Sequence, residues 1–136
     1  MKKGFAINDE FYTELLEFSG ETDDEIINYA INYAGFKDYE VLKESKEDSL
    51  WVSISDKESE SFVIIQIFDI DCKSAVVHWH AYDGVDFKVY PDGDLKALVA
   101  KKKDELGDNF NIDVEQYDFV CLDIYGEWLM WRKLSF

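Results

Sequence analysis

Ser61-Phe62-Val63-Ile64-Ile65-Gln66-Ile67-Phe68-Asp69-Ile70, then Asp71-Cys72-Lys73, then Ser74-Ala75-Val76-Val77-His78-Trp79-His80-Ala81-Tyr82, is the stretch on which the fold turns. In an extended chain its first run places Phe62, Ile64, Phe68 and Ile70 on one face and Val63, Ile65 and Ile67 on the other. A strand with so few polar positions belongs inside a sheet. The second run, joined by a short polar link, is its expected antiparallel neighbour.

Upstream, Leu50, Val52 and Ile54 alternate with Trp51, Ser53 and Ser55, which predicts a half-buried strand joined to the central one by a polar turn over residues 56–60. Residues 39–44 alternate more weakly and read as a modest edge strand. Before them, Thr22-Asp23-Asp24-Glu25 is a capping-box pattern, and Ile26, Ile27, Ala30, Ile31, Tyr33 and Ala34 give the helix that follows a wide apolar face. Gly35 stands where a left-handed C-cap is expected. A preceding helix is read from Phe11, Leu15, Leu16 and Phe18 behind Asn8 and Asp9, so that the two helices form a hairpin against the sheet. Residues 4–7 read as a short entry segment at the sheet edge.

Downstream, residues 86–90 complete a four-stranded meander closed by Pro91. Asp94 then caps a third helix with Leu95, Leu98, Val99 and Leu106 as its buried stripe and Lys101, Lys102 and Lys103 in its C-terminal half. Residues 117–125 and 128–134 flank Gly126-Glu127, the pattern of a tight hairpin, and extend the sheet. The expected fold is α+β: a mostly antiparallel sheet, meander plus C-terminal hairpin, carrying an N-terminal helical hairpin and a third helix, in a single domain over residues 1–136.

Composition bounds the function. The chain holds 30 Asp and Glu against 14 Lys and Arg, for a net charge of −16, yet 47% of its residues are hydrophobic and 16% aromatic. That is too apolar for a disordered acidic tail. The charge repels phosphate backbones and anionic headgroups, so direct binding of nucleic acid or membrane is disfavoured, whereas a basic protein is attracted. Solubility of an aromatic-rich surface is the competing explanation of the same charge. Cys72 and Cys121 lack any Cys-x-x-Cys spacing. Met1-Lys2-Lys3 meets Asp9 and Glu10 before an apolar signal core can form, and no run is long enough to span a bilayer. A cytoplasmic protein with reduced thiols is expected.

Few residues point to chemistry. His78 and His80 share one face of a strand and are a candidate metal pair, but no specific third ligand accompanies them. The paired carboxylates match neither a calcium loop nor a two-carboxylate hydrolase. Glycine-rich phosphate loops and nucleophile elbows are missing, so no cofactor and no catalytic residue is assigned. The expected function is that of a small acidic binding protein, an immunity or inhibitor protein that occludes the basic active site of a toxin or nuclease domain. Its nominated contacts are Asp69, Asp71, Asp83, Asp86, Tyr82 and Trp51, carboxylates at strand ends beside aromatic anchors. The alternatives are a small-ligand or metal-dependent enzyme using His78 and His80, and a structural or regulatory subunit whose acidity only gives solubility.

Overall fold

Two antiparallel sheets, not one, organise the backbone. The computed structural model describes residues 1–7, 15–80, 86–106, 119–124 and 127–136, and these fall into two compact units, Met1–Ile70 and Asp71–Phe136. In the first unit β1 (Lys2–Ile7), β2 (Leu15–Gly20), α1 (Asp23–Ala34), β3 (Tyr39–Ser45), β4 (Leu50–Asp56) and β5 (Phe62–Asp69) follow in order, and the sheet runs β2-β1-β5-β4-β3. In the second, β6 (Ser74–His80), β7 (Lys88–Pro91), α2 (Leu95–Leu106), β8 (Phe119–Ile124) and β9 (Glu127–Ser135) form a sheet of order β7-β6-β9-β8 with one helix.

The expected helical hairpin is therefore overturned. Leu15–Gly20 is a strand, paired residue for residue with β1 from Ile7↔Leu15 to Lys2↔Gly20, and the described residues contain two helices, not three. Six residues such as Leu15-Leu16-Glu17-Phe18-Ser19-Gly20 satisfy a helical and an alternating pattern equally well. What decides between them is that β1 needs a partner for its second backbone edge, because a buried unpaired amide or carbonyl is costly. Asn8, Asp9 and Phe11, the rest of that expected helix, lie outside the described residues.

Two further expectations change with it. The entry segment is an inner strand, since β1 lies between β2 and β5 with Phe5 and Ala6 buried. The strands β5 and β6 do not pair: β5 takes β1 and β4 as neighbours, and β6 takes β7 and β9. Both edges of each strand are already filled, so the meander breaks between Ile70 and Ser74. The C-terminal hairpin of β8 and β9 extends the second sheet through β6.

Helix α1 forms where its caps dictate. Thr22 Oγ1 accepts from Glu25 N at 3.2 Å, while the Glu25 carboxylate accepts from Glu21 N at 3.0 Å, one residue ahead of the usual reach of a capping box. Gly35, at φ 74°, closes the helix by donating to Ile31 O at 2.9 Å. Ile26, Ile27, Ala30 and Ile31 pack on Ala6, Val52, Ile54, Ile65 and Ile67 of the sheet, each large aliphatic side chain contributing about 1.5–3 kcal/mol on burial. The approach is close at Gly4, where a Cβ would stand 2.6 Å from Ile26 Cγ2 and 3.0 Å from Ile65 Cγ2. In the second unit Asp94 caps α2 through Ala97 N, and Leu95 and Val99 cover Val76, Leu129 and Trp131.

Candidate protein-docking surface

Helix α1 covers only one face of the first sheet. The alternation that sends Val52, Ile54, Ile65 and Ile67 beneath it sends Phe5, Gln66, Phe68, Trp51, Ile64, Phe62 and Leu42 to the reverse face. At Phe5 of β1 and in the C-terminal half of β5 that face is buried: Phe5, Gln66 and Phe68 are within 5% of full burial. Toward β3 it opens. Trp51 and Ile64 are partly exposed, Phe62 is 55% exposed and Leu42 61% exposed. Cross-strand pairing sets Glu44 opposite Trp51 and Leu42 opposite Ser53, so Glu40 and Glu44 flank Leu42 on the same face with both carboxylates in solvent. An aromatic and aliphatic centre bounded by carboxylates results.

Lys46 is the cation that occupies this surface. Its Nζ lies 2.9 Å from Glu44 Oε1 and 5.5 Å from the centroid of the Trp51 ring. Both charged side chains are largely exposed, so the pair is weak and readily exchanged. The indole and the carboxylate already form the kind of seat that a partner's lysine or arginine fills.

The nominated residues are not gathered at one place within either unit. Trp51 belongs to the reverse face of the first sheet. Asp69 ends β5 on the helix side, opposite Lys2. There the Asp23 carboxylate, 3.0 Å from Lys2 Nζ, holds the Lys2 ammonium above the ordinary lysine value of 10.5 against the opposing effect of burial, and Asp69 adds to it more weakly. In the second unit Asp71 and Asp86 are both exposed, but Asp71 precedes the start of β6 whereas Asp86 precedes the strand that pairs with its far end. Tyr82 and Asp83 lie outside the described residues.

His78 is buried. Its Nδ1 lies 2.7 Å from the Met130 carbonyl oxygen, and its ring stacks on Trp131 at 4.2 Å with planes 20° apart. A carbonyl only accepts, so Nδ1 carries the proton and donates it to Met130 O. His80 occupies β6 opposite Leu129. Among the described residues no three His, Cys, Asp or Glu side chains are placed to hold a metal ion, and no helix among them is long and apolar enough to cross a membrane.

Leu42, Phe62, Glu40 and Glu44 were not singled out by the sequence reading. The signal was Glu40-Val41-Leu42-Lys43-Glu44, whose alternation sets an apolar side chain between two carboxylates. The chain matches no protein-family model, and no curated protein or solved structure is significantly similar to it.

Proposed function

We propose that this chain is a small acidic binding protein of the inhibitor type, a cytoplasmic bacterial immunity protein that neutralises a basic toxin or nuclease by occluding its active site. The observation that carries the reading is the reverse face of the first sheet, where exposed Leu42 and Phe62 and half-buried Trp51 adjoin Glu40 and Glu44. Aromatic and aliphatic anchors ringed by charge are the anatomy of a binding hot spot. Carboxylates at its rim stand in for the substrate phosphates that a basic active site attracts, and a net charge of −16 steers the encounter.

Co-expression with a basic nuclease domain encoded beside this gene tests the proposal. Growth protection is expected, together with an association rate that falls steeply between low and physiological salt. The double reversal Glu40→Lys/Glu44→Lys is expected to slow association about tenfold or more. Protection that survives the double reversal at an unaltered rate moves the interface elsewhere, and a nuclease left fully active by the wild-type chain overturns the reading.

A further inference from the structure

Among the described residues the outer edge of β3 is unpaired, in a sheet whose order ends there, and its backbone phase follows from the two bonds that bracket the hairpin. Lys46 N donates to Ser49 O at 2.8 Å, and Lys57 N donates to Asp38 O at 2.9 Å. Both pairs continue the register of β3 with β4, in which Glu40, Leu42 and Glu44 oppose Ser55, Ser53 and Trp51. Hydrogen-bonded pairs alternate along an antiparallel ladder, so Glu40, Leu42 and Glu44 turn their amides and carbonyls toward β4. Tyr39, Val41, Lys43 and Ser45 turn theirs outward. Six of the seven β3 residues are exposed and Val41 is half-buried, so solvent reaches this row of donors and acceptors.

Such an edge invites another strand. The side chains beside it say which. A strand added antiparallel to β3 meets Glu40, Leu42 and Glu44 at non-hydrogen-bonded positions, where opposing side chains come closest. Leu42 calls for an apolar residue, and the two carboxylates call for a cation on each side. A second copy of β3 paired antiparallel about Leu42 is disfavoured, because Glu40 of each copy would oppose Glu44 of the other. Like charges in that position are destabilising.

We infer that β3 receives an extended segment of the basic partner, added antiparallel as a sixth strand, with the side-chain pattern basic–x–apolar–x–basic on the reverse face. The inference rests on the docking function proposed above and specifies how that surface is engaged. Main-chain hydrogen bonds from Val41 and Lys43 hold the segment, while Glu40, Leu42 and Glu44 select it. The Glu44–Lys46 pair exchanges its lysine for the partner's cation.

The test uses the full chain and two terminally blocked synthetic peptides, Lys-Thr-Val-Thr-Lys and Glu-Thr-Val-Thr-Glu, titrated to millimolar concentration and followed by amide resonances. The basic peptide is expected to shift and protect the amides of Val41, Lys43 and Ser45, and the acidic one to leave them unmoved. Lys43→Pro removes an outward donor while keeping the β3–β4 ladder, and is expected to weaken the basic peptide about tenfold. N-methylation of both threonines in the basic peptide asks the same question with the chain unaltered. Equal binding by Lys43→Pro and by the methylated peptide, or no effect of the basic peptide on the wild-type chain, overturns strand addition while nuclease protection still stands. Equal binding of the acidic peptide overturns the charge-selective reading along with it.

Discussion

Glu44 and Trp51 stand directly opposite each other on β3 and β4, and a single lysine serves both. Lys46 Nζ touches the carboxylate at 2.9 Å and hovers 5.5 Å from the indole centroid. The arrangement satisfies the seat internally and competes with any incoming cation. Exposed pairs of this kind contribute about 0–1 kcal/mol, so the competition is mild.

Lys46→Met is accordingly expected to leave stability within about 0.5 kcal/mol and to tighten binding of the basic peptide two- to threefold, roughly what a displaced surface pair is worth. Isothermal titration at low salt reads the change. A weaker complex would show that Lys46 supports the docking surface instead of occupying it.

Lys3 and Glu17 pose the opposite case. The Lys3 side chain is nearly buried, its Nζ 3.1 Å from Glu17 and 2.6 Å from Ser19 Oγ on the neighbouring strand. Glu17 is itself about one-third exposed, so losing its carboxylate weakens the hold on a nearly buried ammonium, whereas removing that ammonium is often neutral. Glu17→Ala is therefore expected to destabilise by about 1–3 kcal/mol and Lys3→Met by clearly less. Urea unfolding of the two variants and of the double variant measures the order, and a larger loss in Lys3→Met would refute it.

How much of this was legible in the sequence depends on whether a segment's neighbours could be named. Alternation in residues 50–55 set Val52 and Ile54 on one face of their strand and that in residues 62–70 set Ile65 and Ile67 on one face of theirs, which the register then makes a common face, and Thr22 and Gly35 marked the ends of α1. Those are local signals, set by side-chain period and cap chemistry. Partnership between strands is not local: nothing in Leu15-Leu16-Glu17-Phe18 announces β1 as its neighbour, and nothing in Asp71-Cys72-Lys73 announces that β5 and β6 enter different sheets. The candidate surface was half legible for the same reason. Trp51 could be assigned to the face opposite Val52, but the exposure of Leu42 and Phe62 depends on helix α1 covering the other side. His78 shows the limit again, since its burial comes from stacking on Trp131, 53 positions away in the chain.

Gly4 leaves room for Ile26 of α1 against the sheet. A methyl group there meets Ile26 Cγ2 at 2.6 Å and Ile65 Cγ2 at 3.0 Å, and both isoleucines are fully buried with little room to shift. Gly4→Ala is expected to cost about 1–3 kcal/mol through overpacking. Partial rescue by Ile26→Val, which shortens the opposing side chain, is expected in the double variant. Thermal unfolding of all three variants checks both statements, and a stabilised Gly4→Ala would contradict the packing described.

Asp92 carries a strain that glycine would relieve. It is the described non-glycine residue with positive φ, at 52°, and follows Pro91 in a turn closed by Gly93 N donating to Tyr90 O at 3.0 Å. Proline at the second position and positive φ at the third are the marks of a type II turn, where glycine is preferred. Asp92→Gly keeps the amide that bonds Ser74 O and removes a left-handed penalty of up to about 1 kcal/mol, offset in part by unfolded-chain entropy. The variant is expected to match or slightly exceed wild-type stability, and Asp92→Val to lose about 1–2 kcal/mol. Indifference of the turn to valine would show that φ at this position is not under constraint.

Lys2 gives the alkaline limb of stability a definite sign. Asp23 and Asp69 raise its folded pKa above 10.5, the ordinary value that it regains on unfolding. A raised folded pKa means that the contribution is fully present below pH 10.5 and is lost as pH climbs through the folded value. Water screens the partly exposed ammonium, so the effect is small. Comparing wild type with Lys2→Met isolates it: the stability difference should be constant from neutral pH up to the ordinary lysine range and shrink above it. A difference that instead grows with alkalinity would mean that Asp23 and Asp69 do not hold the Lys2 proton, and that the link from β1 to the first turn of α1 is made by apolar packing.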